Sequence, residues 1–268
     1  MNAPESPSSV EPVVLSHAGA GIVRLTLNRP QQFNALSEQL LAQLHAELDR
    51  IAEDRTARVV VIAGAGKAFC AGHDLKQMRA NPSLEYYQRL FADCAWVMRR
   101  IQTLPQPVIA RVHGIATAAG CQLVAMCDLA VAASEARFAV SGINAGLFCS
   151  SPAVALSRNV GRKAAFEMLV TGDFIDAETA RGRGLVNQVV PLAELDAAIA
   201  RLADQILAKP AKAVAMGKDL FYRQLEMGID AAYQLAGQTM ACNMIDEVAQ
   251  EGVDAFINKR APKWPSAT

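Results

Sequence analysis

Arg58-Val59-Val60-Val61-Ile62-Ala63-Gly64-Ala65-Gly66-Lys67-Ala68-Phe69-Cys70-Ala71-Gly72-His73-Asp74-Leu75-Lys76 passes from an almost unbroken β-branched run into a segment of small residues. Residues 58–64 show no polar alternation, the pattern of a strand buried on both faces, as in a parallel sheet. The small-residue segment after it is built to expose backbone. Ala71 and Gly72 leave room for a ligand to approach the main chain, with the amide of His73 as a fixed donor.

The same grammar recurs downstream. Residues 107–112 read as a second apolar strand, residues 114–120 as a small-residue turn, and a helix starts at its end, where unpaired amides carry the positive end of the helix dipole. Residues 129–133 read as a further strand. Upstream, residues 21–27 alternate as a strand, and Ser37 caps a helix whose Leu40, Leu41, Leu44, Leu48 and Ile51 recur at helical spacing. Residues 84–101 form another helix, with Tyr87, Leu90, Cys94, Val97 and Ile101 on one side, closed by Pro105 and Pro107. Strands alternating with helices at short intervals predict an α/β fold around a mostly parallel sheet.

Beyond Pro191 the strand signals fade, and residues 192–207, 211–225 and 229–257 read as helices. Their apolar positions, among them Leu220, Tyr233, Leu235, Met240 and Met244, must cover the chain's own core or a neighbouring subunit. The expected organisation is a disordered Ser/Pro-rich leader over 1–12, a core over 13–200 and a helical C-terminal region over 201–268.

Composition narrows the function. Lysine plus arginine equals aspartate plus glutamate, 26 each in 268 residues, so no long-range field draws the chain to nucleic acid or an anionic membrane. The longest apolar stretch, 108–132, is interrupted by Arg111, His113, Gln122 and Asp128, which argues against a membrane span. Six cysteines without a C-x-x-C pair predict reduced, mostly buried thiols. With no signal-peptide pattern at the N-terminus, these features lead to the expectation of a cytoplasmic, soluble protein.

Residues 22–260 resemble the enoyl-CoA hydratase/isomerase (crotonase) family. The resemblance is carried by Leu27-Asn28-Arg29-Pro30 with Asn34-Ala35-Leu36, by residues 68–75 and 113–128, and by Leu169-Val170-Thr171-Gly172 ahead of residues 177–184. It implies a spiral of ββα units with a helical C-terminal trimerisation region, assembling as trimers or hexamers. It implies an acyl-CoA ligand and no metal or other cofactor, the coenzyme A being part of the substrate. The backbone amides of His73 and Ala119 would form an oxyanion hole. Asn34, Ala35, Leu36, Ala71, Asp74, Leu75 and Lys76 would lie near the bound coenzyme A, with Lys218 reaching its phosphates. Asp128 reads as a structural helix-end carboxylate and Asp74 as a local cap.

The sequence departs from the hydratase pattern at its acid-base groups. One family glutamate corresponds to Gln122 and the other to Gly142; a later acid used by some family members corresponds to Ser150, and the intermediate position is Asn144. Residues 142–152 are similar to mitochondrial enoyl-CoA hydratase domain-containing proteins that also lack the pair. Adding water to a double bond needs one group to activate water and another to protonate carbon, and losing one such group costs roughly 10²- to 10⁴-fold. The expected function is acyl-CoA binding, within fatty acid metabolism, with weak or absent hydration. A non-catalytic acyl-CoA binder is the alternative, and a thioesterase or decarboxylase using Cys149 or Ser150 is a third reading.

Overall fold

The computed structural model describes residues 13–264, so the expected leader, residues 1–12, lies outside them. An antiparallel hairpin, β1 (Val14–Gly19) and β2 (Ile22–Leu27), opens the fold, and α1 (Glu38–Glu53) follows. Ser37 caps α1 by accepting from the Leu40 amide, and the helix buries the leucine stripe expected of it.

Successive units then each give one long strand and one short one. β3 (Val59–Gly64) leads to β4 (Ala68–Cys70), α2 (Leu75–Ala80) and α3 (Leu84–Thr103). β5 (Val108–Val112) leads to β6 (Ile115–Thr117) and α4 (Ala119–Met126). β7 (Leu129–Ala133) leads to β8 (Arg137–Ala139), α5 (Ser150–Asn159) and α6 (Arg162–Thr171), and β9 (Ile175–Asp176), α7 (Ala177–Gly182) and β10 (Gln188–Val190) complete the spiral. The long strands, with the three-residue β10 at one edge, form a six-stranded sheet in the order β1-β2-β3-β5-β7-β10, parallel except for the hairpin. The short strands form a second sheet, β4-β6-β8-β9.

Alternate residues of β3 explain why its sequence lacks polar alternation. Val60 and Ile62 enter the main core against α1, α3 and α4, whereas Val59 and Val61 pack with Ile109 and Val131 under α8 (Leu195–Leu207), whose Leu195, Ala198, Ile199 and Ala203 cover that face. The division expected at 200/201 therefore falls inside one continuous helix that belongs to the core. The helical appendage begins after it, with α9 (Ala211–Gln224), α10 (Ile229–Ile245) and α11 (Glu247–Ile257); the single helix expected over 229–257 breaks at Asp246, which caps α11 through the Val248 amide. Among the described residues no helix is long and apolar enough to cross a membrane. All six cysteines are free, and all but Cys242 are buried.

Candidate oxyanion site and its missing carboxylates

The two small-residue turns meet. Gly72 has φ +90°, and a Cβ on it would stand 2.8 Å from the Ala118 methyl and 3.3 Å from the Ala119 nitrogen. Gly120 lets the start of α4 abut the end of β4, since a Cβ there would sit 2.1 Å from the Cys70 carbonyl oxygen. Glycine at these two positions is what brings the loop carrying His73 against the start of α4. The connection is pinned by Leu36, whose amide donates to Gly72 O (2.7 Å) and whose carbonyl accepts from the Asp74 amide (3.1 Å). Among the described residues neither the His73 amide nor the Ala119 amide donates to a protein acceptor. Two unspent donors on apposed turns can hold one partially negative oxygen.

Ala118 is held at φ 50°, ψ −122°, a backbone region that favours glycine, and it directly precedes the Ala119 amide. Its own amide donates to Ala139 O and its carbonyl accepts from Gln122 N, both at 3.0 Å, so the turn is fixed from both sides. Nothing in the residue type signals this strain, and the sequence alone did not reveal it.

Several residues expected near the ligand serve the scaffold instead. Asn34 is fully buried; its carboxamide donates to the carbonyls of Ala65 (2.8 Å), Ala68 (2.8 Å) and Phe69 (3.1 Å) and accepts from Arg29 N (2.9 Å). It latches its own turn to the β3–β4 connection and to β4, and its side chain is spent on these contacts. Leu36 is likewise enclosed, and Ala35 contributes its carbonyl to Arg29 at 2.6 Å. Asp74 caps α2 through Lys76 N and Gln77 N and pairs with Arg29 at 2.9 Å, which helps hold its carboxyl below the usual range against the opposing effect of burial. Ala71 is half-buried, while Leu75 and Lys76 are exposed beside the site.

The assignment of Lys218 to coenzyme A phosphates is corrected. Its ammonium is buried and donates to Ile101 O (2.8 Å), Gln106 O (2.9 Å) and the Asp128 carboxylate (2.6 Å). Asp128, the expected structural carboxylate, also accepts from Val108 N and the Tyr222 hydroxyl. The His73 side chain is largely enclosed: its ring meets Phe91 edge-on at 5.3 Å, its Nε2 is buried without a partner among the described residues, and desolvation pulls its pKa down to about 4. It is neutral at physiological pH.

The positions expected to correspond to the family's acid-base groups hold no carboxylate. Gln122 is buried on α4 with its side-chain oxygen unpartnered, and Gly142 lies in a short 3-10 turn over Ser141–Ala145. Among the described residues Asn144 reaches Gly172 O, at 3.5 Å, and Ser150 opens α5, exposed, with its hydroxyl on Phe148 O at 3.4 Å. Cys149 precedes it, and burial raises its thiol pKa, so it is not an activated thiolate. Among the described residues no group of His, Cys, Asp and Glu could hold a metal ion.

The family model described as enoyl-CoA hydratase/isomerase matches residues 17–267. The chain belongs to the enoyl-CoA hydratase/isomerase family. It is 46% identical to the mitochondrial enoyl-CoA hydratase domain-containing protein 3 of Xenopus laevis, over 94% of this chain and 86% of the relative. It is 43% identical to the protein of that name from Homo sapiens, over 91% and 80%. Among solved structures, the enoyl-CoA hydratase of Mycobacterium smegmatis superposes with a TM-score of 0.94 at 66% identity, covering 95% of this chain and 99% of that one. Human enoyl Coenzyme A hydratase domain-containing protein 3 superposes at 0.92 and 42% identity, covering 94% and 100%.

The fold is therefore the crotonase spiral, and its repeating units are the pairs of one long and one short strand. The expectation of a cytoplasmic protein does not stand, because the curated relatives at 41 to 46% identity are named as mitochondrial proteins. Within this family frame, Arg29 and Ala118 are the positions that sequence reading passed over. Arg29 sits in the Asn28-Arg29-Pro30 motif, but only the folded chain joins it to Ala35 and Asp74, the latter 45 residues away.

Proposed function

We propose that this family member binds an acyl-CoA thioester with the carbonyl oxygen between the His73 and Ala119 amides, and that it hydrates enoyl-CoA weakly or not at all. The observation carrying this reading is the pair of acceptor-free amides on turns that only Gly72 and Gly120 allow to meet. By analogy with a measured protease oxyanion hole, each such donor contributes about 3 to 4 kcal/mol to a developing oxyanion. Gln122 and Gly142 supply neither a base for water nor an acid for carbon, and neutral His73 does not replace them. Binding without turnover is the second reading, favoured by the same two residues. A hydrolase reading is opposed by the raised pKa of Cys149 and by the Ser150 hydroxyl, which among the described residues donates to the Phe148 carbonyl rather than to a base.

Assembly into a trimer or hexamer fits the surface of the appendage, where Ile229, Tyr233, Met240, Ile245, Phe256 and Ile257 are all more than two-thirds exposed in the single chain. The function is tested by titrating crotonyl-CoA and a saturated acyl-CoA into the purified protein in a calorimeter and following hydration of crotonyl-CoA in parallel. Binding of both with hydration near background is expected. Robust hydration would refute the loss of acid-base chemistry, and absence of binding would refute the site.

A further inference from the structure

Position 142 has no room for a side chain. A Cβ on Gly142 would stand 2.7 Å from Cys149 Sγ and 2.7 Å from the Leu147 carbonyl oxygen, closer than real Cβ atoms approach. The loop making these contacts is stitched to Gly142 itself. Leu147 N donates to Gly142 O at 3.0 Å, Gly146 N donates to Ile143 O at 2.9 Å, and the Gly142 amide faces the Cys149 thiol. The hydroxyls of Ser141 and Thr117 share a hydrogen bond of 2.8 Å, which ties the start of the loop to the turn that carries Ala118. On its far side, Gly172 is packed so closely that a Cβ there would stand 2.8 Å from Ile143 and 2.9 Å from Asn144. The segment is clamped from both ends, and one of its obstructing atoms is backbone, which cannot rotate away.

Building on the proposed acyl-CoA binding, we infer that the loop in which Cys149 and Leu147 fold over Gly142 is closed against any side chain at that position, so that returning carboxylates to 122 and 142 does not produce a hydratase. Gln122 differs in kind. It already projects a side chain of glutamate's length, and Gln122→Glu alone supplies one of the two proton-handling groups that hydration needs. The missing function is thus locked by loop geometry at one position and by side-chain identity at the other.

Gly142→Ala tests the closed loop with the smallest possible side chain. Forcing a methyl into packed surroundings should lower Tm by roughly 2–10 °C. Gly217→Ala in α9, where a Cβ meets nothing within 4 Å, should leave Tm unchanged or raise it. The Q122E/G142E protein, assayed with crotonyl-CoA, should hydrate no faster than wild type, and a double variant too unstable to assay agrees with the closed loop. The inference is overturned if Gly142→Ala melts with wild type, or if Q122E/G142E folds at the wild-type Tm and hydrates about 10²-fold faster or more. Calorimetry on the wild type separates the two levels: a chain that binds no acyl-CoA removes the ligand reading, while the Tm comparison still decides whether the loop is closed.

Discussion

His73 performs two jobs with different atoms. Its amide is one of the two free donors, while its ring is enclosed beside Phe91 with no counter-charge, which holds its pKa at about 4 against an ordinary 6.5. Between those values the unfolded chain binds a proton that the folded chain does not, so stability rises with pH through that window. Above about 6.5 the ring is neutral in both states and costs nothing; the penalty grows as the solution is acidified toward 4 and reaches roughly 3 kcal/mol. His73→Gln removes this titration, and its Tm should fall less than that of wild type between pH 6.5 and 4.5. Parallel Tm profiles would contradict the enclosed, neutral imidazole. The two turns that leave the His73 and Ala119 amides without a protein acceptor were legible because runs of small residues mark them. Asn34 was placed at the ligand by its motif, yet its burial depends on three carbonyls more than 30 residues downstream, which no local pattern contains.

β2, β3, β5, β7, α1, α3, α4 and α8 were legible in the sequence because each carries a periodicity or an unbroken apolar run, whereas β1, β10 and the helices α5 to α7 were not. Residues 58–64 form β3, and both of its faces are covered, as the unbroken apolar run required. The second sheet was not legible: β4, β6 and β8 are three residues each, too short for any alternation to register. The same limit explains Lys218. A lysine in a polar C-terminal helix reads as exposed, and its partner Asp128 lies 90 residues earlier. In the fold this pair docks α9 onto the end of α3 and the start of β5, with Tyr222 completing the contact. Lys218→Met strands a buried carboxylate and should cost about 3–5 kcal/mol in urea unfolding. Adding Asp128→Asn should recover part of that loss, because the two residues act as one unit. Additive losses would contradict the coupling.

On the scale of the whole molecule, the spiral core accounts for itself and the appendage does not. Among the described residues of α10 and α11 only Ala232 and Ala255 are buried, so these helices expose their apolar side chains in a single chain. Sedimentation at micromolar concentration should find an assembly of three or six chains, and Phe256→Asp with Ile257→Asp should weaken it; a wild-type monomer at every concentration would contradict the proposed assembly. In the proposed function, a scaffold shared with hydratases keeps its grip on a thioester oxygen while lacking the groups that add water. The direct measurement is calorimetry of one acyl-CoA against its thioether analogue, identical except for the absent carbonyl. Two amide hydrogen bonds to that oxygen predict roughly 5- to 150-fold tighter binding of the thioester. Equal affinity for the two compounds would mean that the carbonyl is not held between His73 and Ala119.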